Sequence, residues 1–150
     1  MEKPEVVNCL ATCLSNSVVM TFKAQGHHWN VEGSDFSEYH GFFQEIYEDV
    51  YSAIDPLAEN MRKLDSAAPY RLIEFARLST VKDSEVGKDA MAMCADLLEA
   101  NDAVLIHLNI LFTLSSEYNE QGIADFAAGR IDMHKKWRWQ LKAHLAGASI

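Results

Sequence analysis

Four side chains in the first half of the sequence have the types and spacing to hold a metal ion: His28, His40, Asp55 and Glu59. The two histidines are 12 residues apart with Gly33 between them, so a helical hairpin turning at the glycine sets them side by side. Asp55 and Glu59 stand at i and i+4, on one face of a helix. Imidazole and carboxylate together suit iron, zinc or manganese. Distance then limits the arrangement. His40 and Asp55 are 15 residues apart, about 22 Å along a helix at 1.5 Å per residue. One chain cannot close both pairs on one ion. Two chains can, if their second helices pack antiparallel about a twofold axis, each giving its histidines to one site and its carboxylates to the other. Taken singly, each residue has a plainer role. A histidine near a helix end caps or packs, Asp55 can cap a new helix with Pro56 behind it, and Glu59 is a solvated charge.

Other chemistries lack their motifs. The residues three before each histidine are Ala24, Gln25, Ser37, Val104, Ile131 and Leu141, so the Glu-x-x-His pair of a di-iron site inside a helical bundle is missing. HExxH, GxGxxG and GxxxxGK[ST] patterns are absent as well. Cys9, Cys13 and Cys94 make neither an even disulfide framework nor a CxxC pair, and read as helix-core thiols. A reducing cytoplasm is the expected compartment.

The elements that must position these residues are helices. Ala and Leu number 32 against 21 for Val, Ile and Thr, and Gly plus Pro is only 10. A first helix runs from Pro4 through Leu10, Leu14, Val18 and Phe22 to about Val31. Gly33 breaks it, and Asp35 with Glu38 resembles a capping box for the second. That second helix carries Phe36, Tyr39, Phe43, Ile46, Val50, Ile54, Leu57, Met61 and Leu64, with a kink or restart expected at Pro56, whose missing N–H costs about 3 kcal/mol inside a helix. Leu72 to Leu78 fits a short helix within a long crossover. A third helix starts between Ser84 and Lys88 and shows two apolar seams, the mark of packing on two neighbours. Tyr118 to Gly122 reads as a turn, and the fourth helix runs from Ile123 to Leu145. The fold class is all-α: two hairpins and one long crossover with a short helix in it form the ferritin-like variant of the four-helix bundle. At 150 residues the chain suits one domain over 1–150. No apolar run reaches the roughly 20 residues of a membrane span, and Met1-Glu2-Lys3-Pro4-Glu5 does not resemble a secretion signal.

The stretch His28-Trp29-Asn30-Val31-Glu32-Gly33, then Phe36, Tyr39-His40 and Asp55-Pro56-Leu57-Ala58-Glu59, strongly resembles the Dps family of mini-ferritins, with the spacing held throughout. Pro69 to Phe75 resembles the family's crossover, and Lys136, Trp139, Leu141, Lys142 and Ala143 its final helix. The resemblance implies four-helix subunits assembled as a hollow dodecamer. It implies ferroxidase sites at twofold interfaces that oxidise Fe(II) with hydrogen peroxide in preference to dioxygen, and ferric mineral stored inside. His28, His40, Asp55 and Glu59 match ligand positions. Trp29 matches a tryptophan beside the metal that intercepts radicals. Asp125 is the matching candidate for an acidic pore, with Glu117 and Glu120 behind it. One position departs: four residues after His40 the family carries a carboxylate, and this chain has Gln44. The neutral amide implies a second ion held weakly, and leaves as the alternative a cage that binds metal with little turnover. Some members bind DNA through a lysine-rich tail. Here 13 basic against 22 acidic residues give −9, and neither end is basic, so nucleic acid is not an expected partner.

Overall fold

The computed structural model describes residues 3–147, all in helices and short connections. Six helices follow one another: α1 (Pro4–Asn30), α2 (Phe36–Ser52), α3 (Ile54–Lys63), α4 (Leu72–Leu78), α5 (Ala90–Glu117) and α6 (Gln121–Ala146). The α1/α2 and α5/α6 hairpins pack through the α1–α5 face, and α4 lies on α1 in the crossover. Read with α3 as the continuation of α2, this is the four-helix bundle with one long crossover that the sequence implies. Residues 1–2 and 148–150, on which the expectation about the chain ends partly rests, lie outside the described residues.

Apolar side chains recurring at helical spacing build the core: Leu10, Leu14 and Met20 of α1, Phe43 and Ile46 of α2, Leu57 of α3, Leu97, Leu108 and Leu111 of α5, and Leu141 of α6 are sealed from solvent. By length and composition α1 and α5 would both suffice to cross a membrane. In the bundle they are core helices that carry buried polar side chains, Asn16 and His27 on α1 and Asn101 on α5.

Three helix boundaries bear on the site. α1 ends with Val31 N–H donating to the His27 carbonyl at 3.0 Å, and the turn beyond it passes through Gly33 at φ +131°, a conformation side chains disfavour. The expected Asp35/Glu38 capping box does not form. Asp35 makes no side-chain cap, and the turn is closed by backbone, Phe36 N–H donating to Gly33 O at 3.2 Å. The second boundary is the break at Ala53. Pro56 cannot donate to Ser52 four residues back, so α2 stops at Ser52 and α3 restarts at Ile54, the restart that Pro56 foretold. Asp55 does not cap it; the N-cap is Ala53. The third is the start of α5, which lies at Ala90 rather than between Ser84 and Lys88, because Asp89 is the residue whose carboxylate accepts from Ala92 N–H at 2.9 Å. There the Glu32 N–H donates to Lys88 O at 3.0 Å, tying the first hairpin turn to α5.

Candidate metal centre

The hairpin does set His28 and His40 side by side. Their rings stack, with centroids 3.7 Å apart and planes 14° from parallel. His28 Nδ1 lies 2.6 Å from the His40 carbonyl, and His40 Nδ1 lies 2.7 Å from the His28 carbonyl. A carbonyl oxygen only accepts, so each Nδ1 carries a proton, and Nε2 is the nitrogen left to face a metal. This reciprocal lock has a cause in helix ends. His28 is two residues from the end of α1, where carbonyls lack an intrahelical partner, and the His40 side chain supplies one. Phe36 stacks on the outer face of His40 at 4.8 Å, and Tyr47 meets the His28 ring edge-on at 5.3 Å. His28 is buried and His40 half-buried.

The last turn of α1 is clamped from behind. Asp96 of α5 accepts from Lys23 Nζ at 2.9 Å and pairs with His27 Nε2 at 2.8 Å, all three groups nearly sealed from water. Burial alone would raise the Asp96 carboxyl; the hydrogen bonds from His27 and Lys23 outweigh it and hold the group below its ordinary range.

Gln44 follows His40 by one turn of α2, and its Nε2 donates to Glu48 Oε2 one turn further, at 3.1 Å. Asp55 and Glu59 share α3 and are both exposed. They do not meet the histidines of the same chain: among the described residues no three His, Cys, Asp or Glu side chains gather closely enough to hold a metal. Each chain thus carries an imidazole pair and a carboxylate pair that are set apart from one another. Trp29 is 64% exposed. It borders an open hollow with Asn30, Val31, Glu32, Gly33 and Phe36. Asp125 and Glu117 are exposed, while Glu120 is engaged by Lys3.

Between α2, α5 and α6 runs a polar network that the local sequence patterns do not announce. Asp49 of α2 accepts from Arg130 Nη1 and Nη2, each at 2.9 Å, and from Trp137 Nε1–H at 2.7 Å. Arg130 donates to His134 Nε2 at 2.9 Å, and His134 Nδ1–H donates to Asn101 Oδ1 at 2.8 Å. Burial, and then the neighbouring Arg130 cation, push the His134 imidazole down to about 3, so it is neutral. Burial would raise Asp49; its hydrogen bonds to Arg130 and Trp137 win and lower it. The only early signals were a charged and an aromatic residue, Arg130 and Trp137, on the core face of α6. Their partners lie 81 and 88 residues away in the chain.

Comparison with known proteins agrees with this architecture. A ferritin-like domain family model matches residues 8–149. An uncharacterised low temperature-induced protein of Nostoc sp. is 28% identical over 151 aligned residues, covering 99% of this chain and 84% of that protein. Among solved structures, the Dps protein of Vibrio cholerae O1, described as a member of a superfamily of ferritin-like diiron-carboxylate proteins, superposes with a TM-score of 0.91 at 26% identity, covering 95% of this chain and 89% of its own. Dps from Thermosynechococcus elongatus gives 0.92 at 26% identity, covering 95% and 91%. The chain belongs to the ferritin-like family, and its structural neighbours there are Dps proteins.

Proposed function

We propose that this chain is the subunit of a Dps-like mini-ferritin that binds Fe(II) as substrate, oxidises it with hydrogen peroxide in preference to dioxygen, and keeps the ferric mineral inside a hollow homo-oligomeric cage, a dodecamer by family likeness. The observation that carries this reading is the reciprocal His28–His40 lock, which turns two lone-pair nitrogens away from the backbone with their tautomers fixed. The Asp55–Glu59 pair of a second copy completes the site across a twofold interface, and Gln44 adds an amide oxygen. Peroxide takes one electron from each of two Fe(II) ions and two protons, and leaves as water. Trp29, exposed beside His28, is placed to meet a stray oxidising radical before the core does. A cytoplasmic setting suits the three free, buried thiols, and a net charge of −9 per subunit argues against a grip on DNA.

Anaerobic Fe(II) titration followed by peroxide tests this. Saturable binding and rapid oxidation at the titrated stoichiometry are expected; no saturable binding overturns the assignment. Binding without oxidation would favour the second reading, a metal-binding cage of the same fold with little turnover. Gln44 is the observation behind that alternative, since a neutral oxygen stabilises ferric iron less than a carboxylate does.

A further inference from the structure

We propose that Glu48 is a positioning residue of this centre: its carboxylate fixes the Gln44 amide with the oxygen free for a metal ion, and returns through that hydrogen bond part of the negative charge that Gln44 lacks. The inference rests on the metal-site reading above and concerns how the second ion is held.

The geometry leaves the amide one orientation. Gln44 Nε2 lies 3.1 Å from Glu48 Oε2, and an ionised carboxylate can only accept, so the NH2 end must face Glu48. The opposite atom, Oε1, has no hydrogen-bond partner among the described residues. His40, Gln44 and Glu48 climb α2 in steps of four residues, each adding about 40° around the axis. Gln44 therefore stands between the imidazole face and Glu48, and Glu48 itself is carried about 80° off that face. Among the described residues no cation pairs with Glu48, so its charge is spent on the amide alone. A charge-assisted hydrogen bond to an amide N–H draws electron density toward the carbonyl oxygen and makes it a better donor to a hard cation. An exposed carboxylate does this without the cost of burying a charge.

The test uses the assembled full-length protein, titrated by calorimetry with Fe(II) under argon and followed in parallel by the visible spectrum of Co(II). The native protein should show a firm step and a weaker one. Glu48→Gln should weaken the second step by on the order of tenfold, leave the first unchanged, and alter the Co(II) bands of the second step alone, because an amide partner no longer dictates which end of Gln44 faces the metal. In a Gln44→Asp background, where no amide needs orienting, Glu48→Gln should cost nothing. Glu48 is exposed on a helix and the replacement is isosteric, so assembly mass and helix content should be unchanged. A second step that ignores Glu48→Gln, or that is missing from the native protein, overturns the proposal. So does an equal loss in both backgrounds, which would make Glu48 a direct ligand. If the native protein binds neither ion saturably, the metal-site reading itself falls, an outcome distinct from a two-step titration indifferent to Glu48.

Discussion

A histidine offers a metal only the nitrogen that its other contacts leave free, and here both other contacts are backbone carbonyls. That has a consequence for mutation. In His28→Ala the residue-28 carbonyl is still present, so His40 keeps its tautomer and pose, and the loss is one ligand rather than two. Fe(II) affinity should fall by on the order of a hundredfold with little change in Tm, as read by calorimetry and thermal melting. An unaltered affinity would remove His28 from the site. The residue types and spacing of His28, His40, Asp55 and Glu59 were legible because a hairpin and an i, i+4 pair are local geometry. The Nδ1 lock was not, since a backbone carbonyl leaves no mark in the sequence. The Gln44–Glu48 bond was recoverable from i, i+4 spacing alone, but the departure at Gln44 drew attention to a missing charge rather than to the next turn, where one stands.

At the scale of elements, the site depends on where helices stop. The α1/α2 turn fixes the relative height of His28 and His40, and it passes through Gly33 at φ +131° with no neighbouring atom within 4 Å of where a Cβ would be. Space is available; the backbone conformation is the obstacle. Gly33→Ala should cost about 1–3 kcal/mol in stability and loosen Fe(II) binding by shifting the imidazole stack. A melt and a titration both matching the native protein would show that the turn relaxes freely. The break at Ala53 was readable from Pro56, a covalent limit that no tertiary context removes. The capping box at Asp35 and Glu38 does not form because the Gly33 turn closes the helix start with backbone, and the Glu38 carboxylate lies 3.7 Å from His144 Nδ1 instead. The start of α5 was misplaced for a similar reason. Several polar residues precede it, and only the fold determines that Asp89 is the one in cap geometry.

A polar network links α2, α5 and α6, and its buried titratable groups make the stability of the bundle depend on pH. His134 is depressed from its ordinary 6.5 to about 3, so between those values the unfolded chain takes up a proton that the folded one refuses. Stability is then full above pH 6.5 and declines as pH falls, by up to about 1.4 kcal/mol per pH unit from this group. Asp49, also lowered, adds to the loss at more acid pH, through and below the ordinary carboxylate range. His134→Gln keeps polar atoms for Asn101 and Arg130 but cannot titrate. Its Tm should drop less than the native Tm between pH 7 and pH 5, and equal drops would refute the linkage. This network spans three helices and could not be assembled from local patterns; periodicity marks core positions, not which polar groups meet there. The proposed pore role of the exposed Asp125 belongs to the same scale, since it requires the proposed cage. Asp125→Asn should slow Fe(II) uptake and weaken its salt dependence, whereas an unchanged rate would remove Asp125 from the entry path.

In the proposed site one chain's imidazoles and another chain's carboxylates face the same ion, and mixing subunits tests that directly. One variant carries His28→Ala with His40→Ala, the other Asp55→Asn with Glu59→Gln. Each assembled alone has no complete site and should bind no Fe(II) tightly. Dissociated and reassembled together at equal ratio, half of the twofold pairs are mixed, and each mixed pair holds one native site and one lacking all four of these side chains. Calorimetry under argon should then recover about a quarter of the native tight sites. No recovery in correctly sized mixed assemblies, or native-like binding by either variant alone, would contradict a site shared between chains.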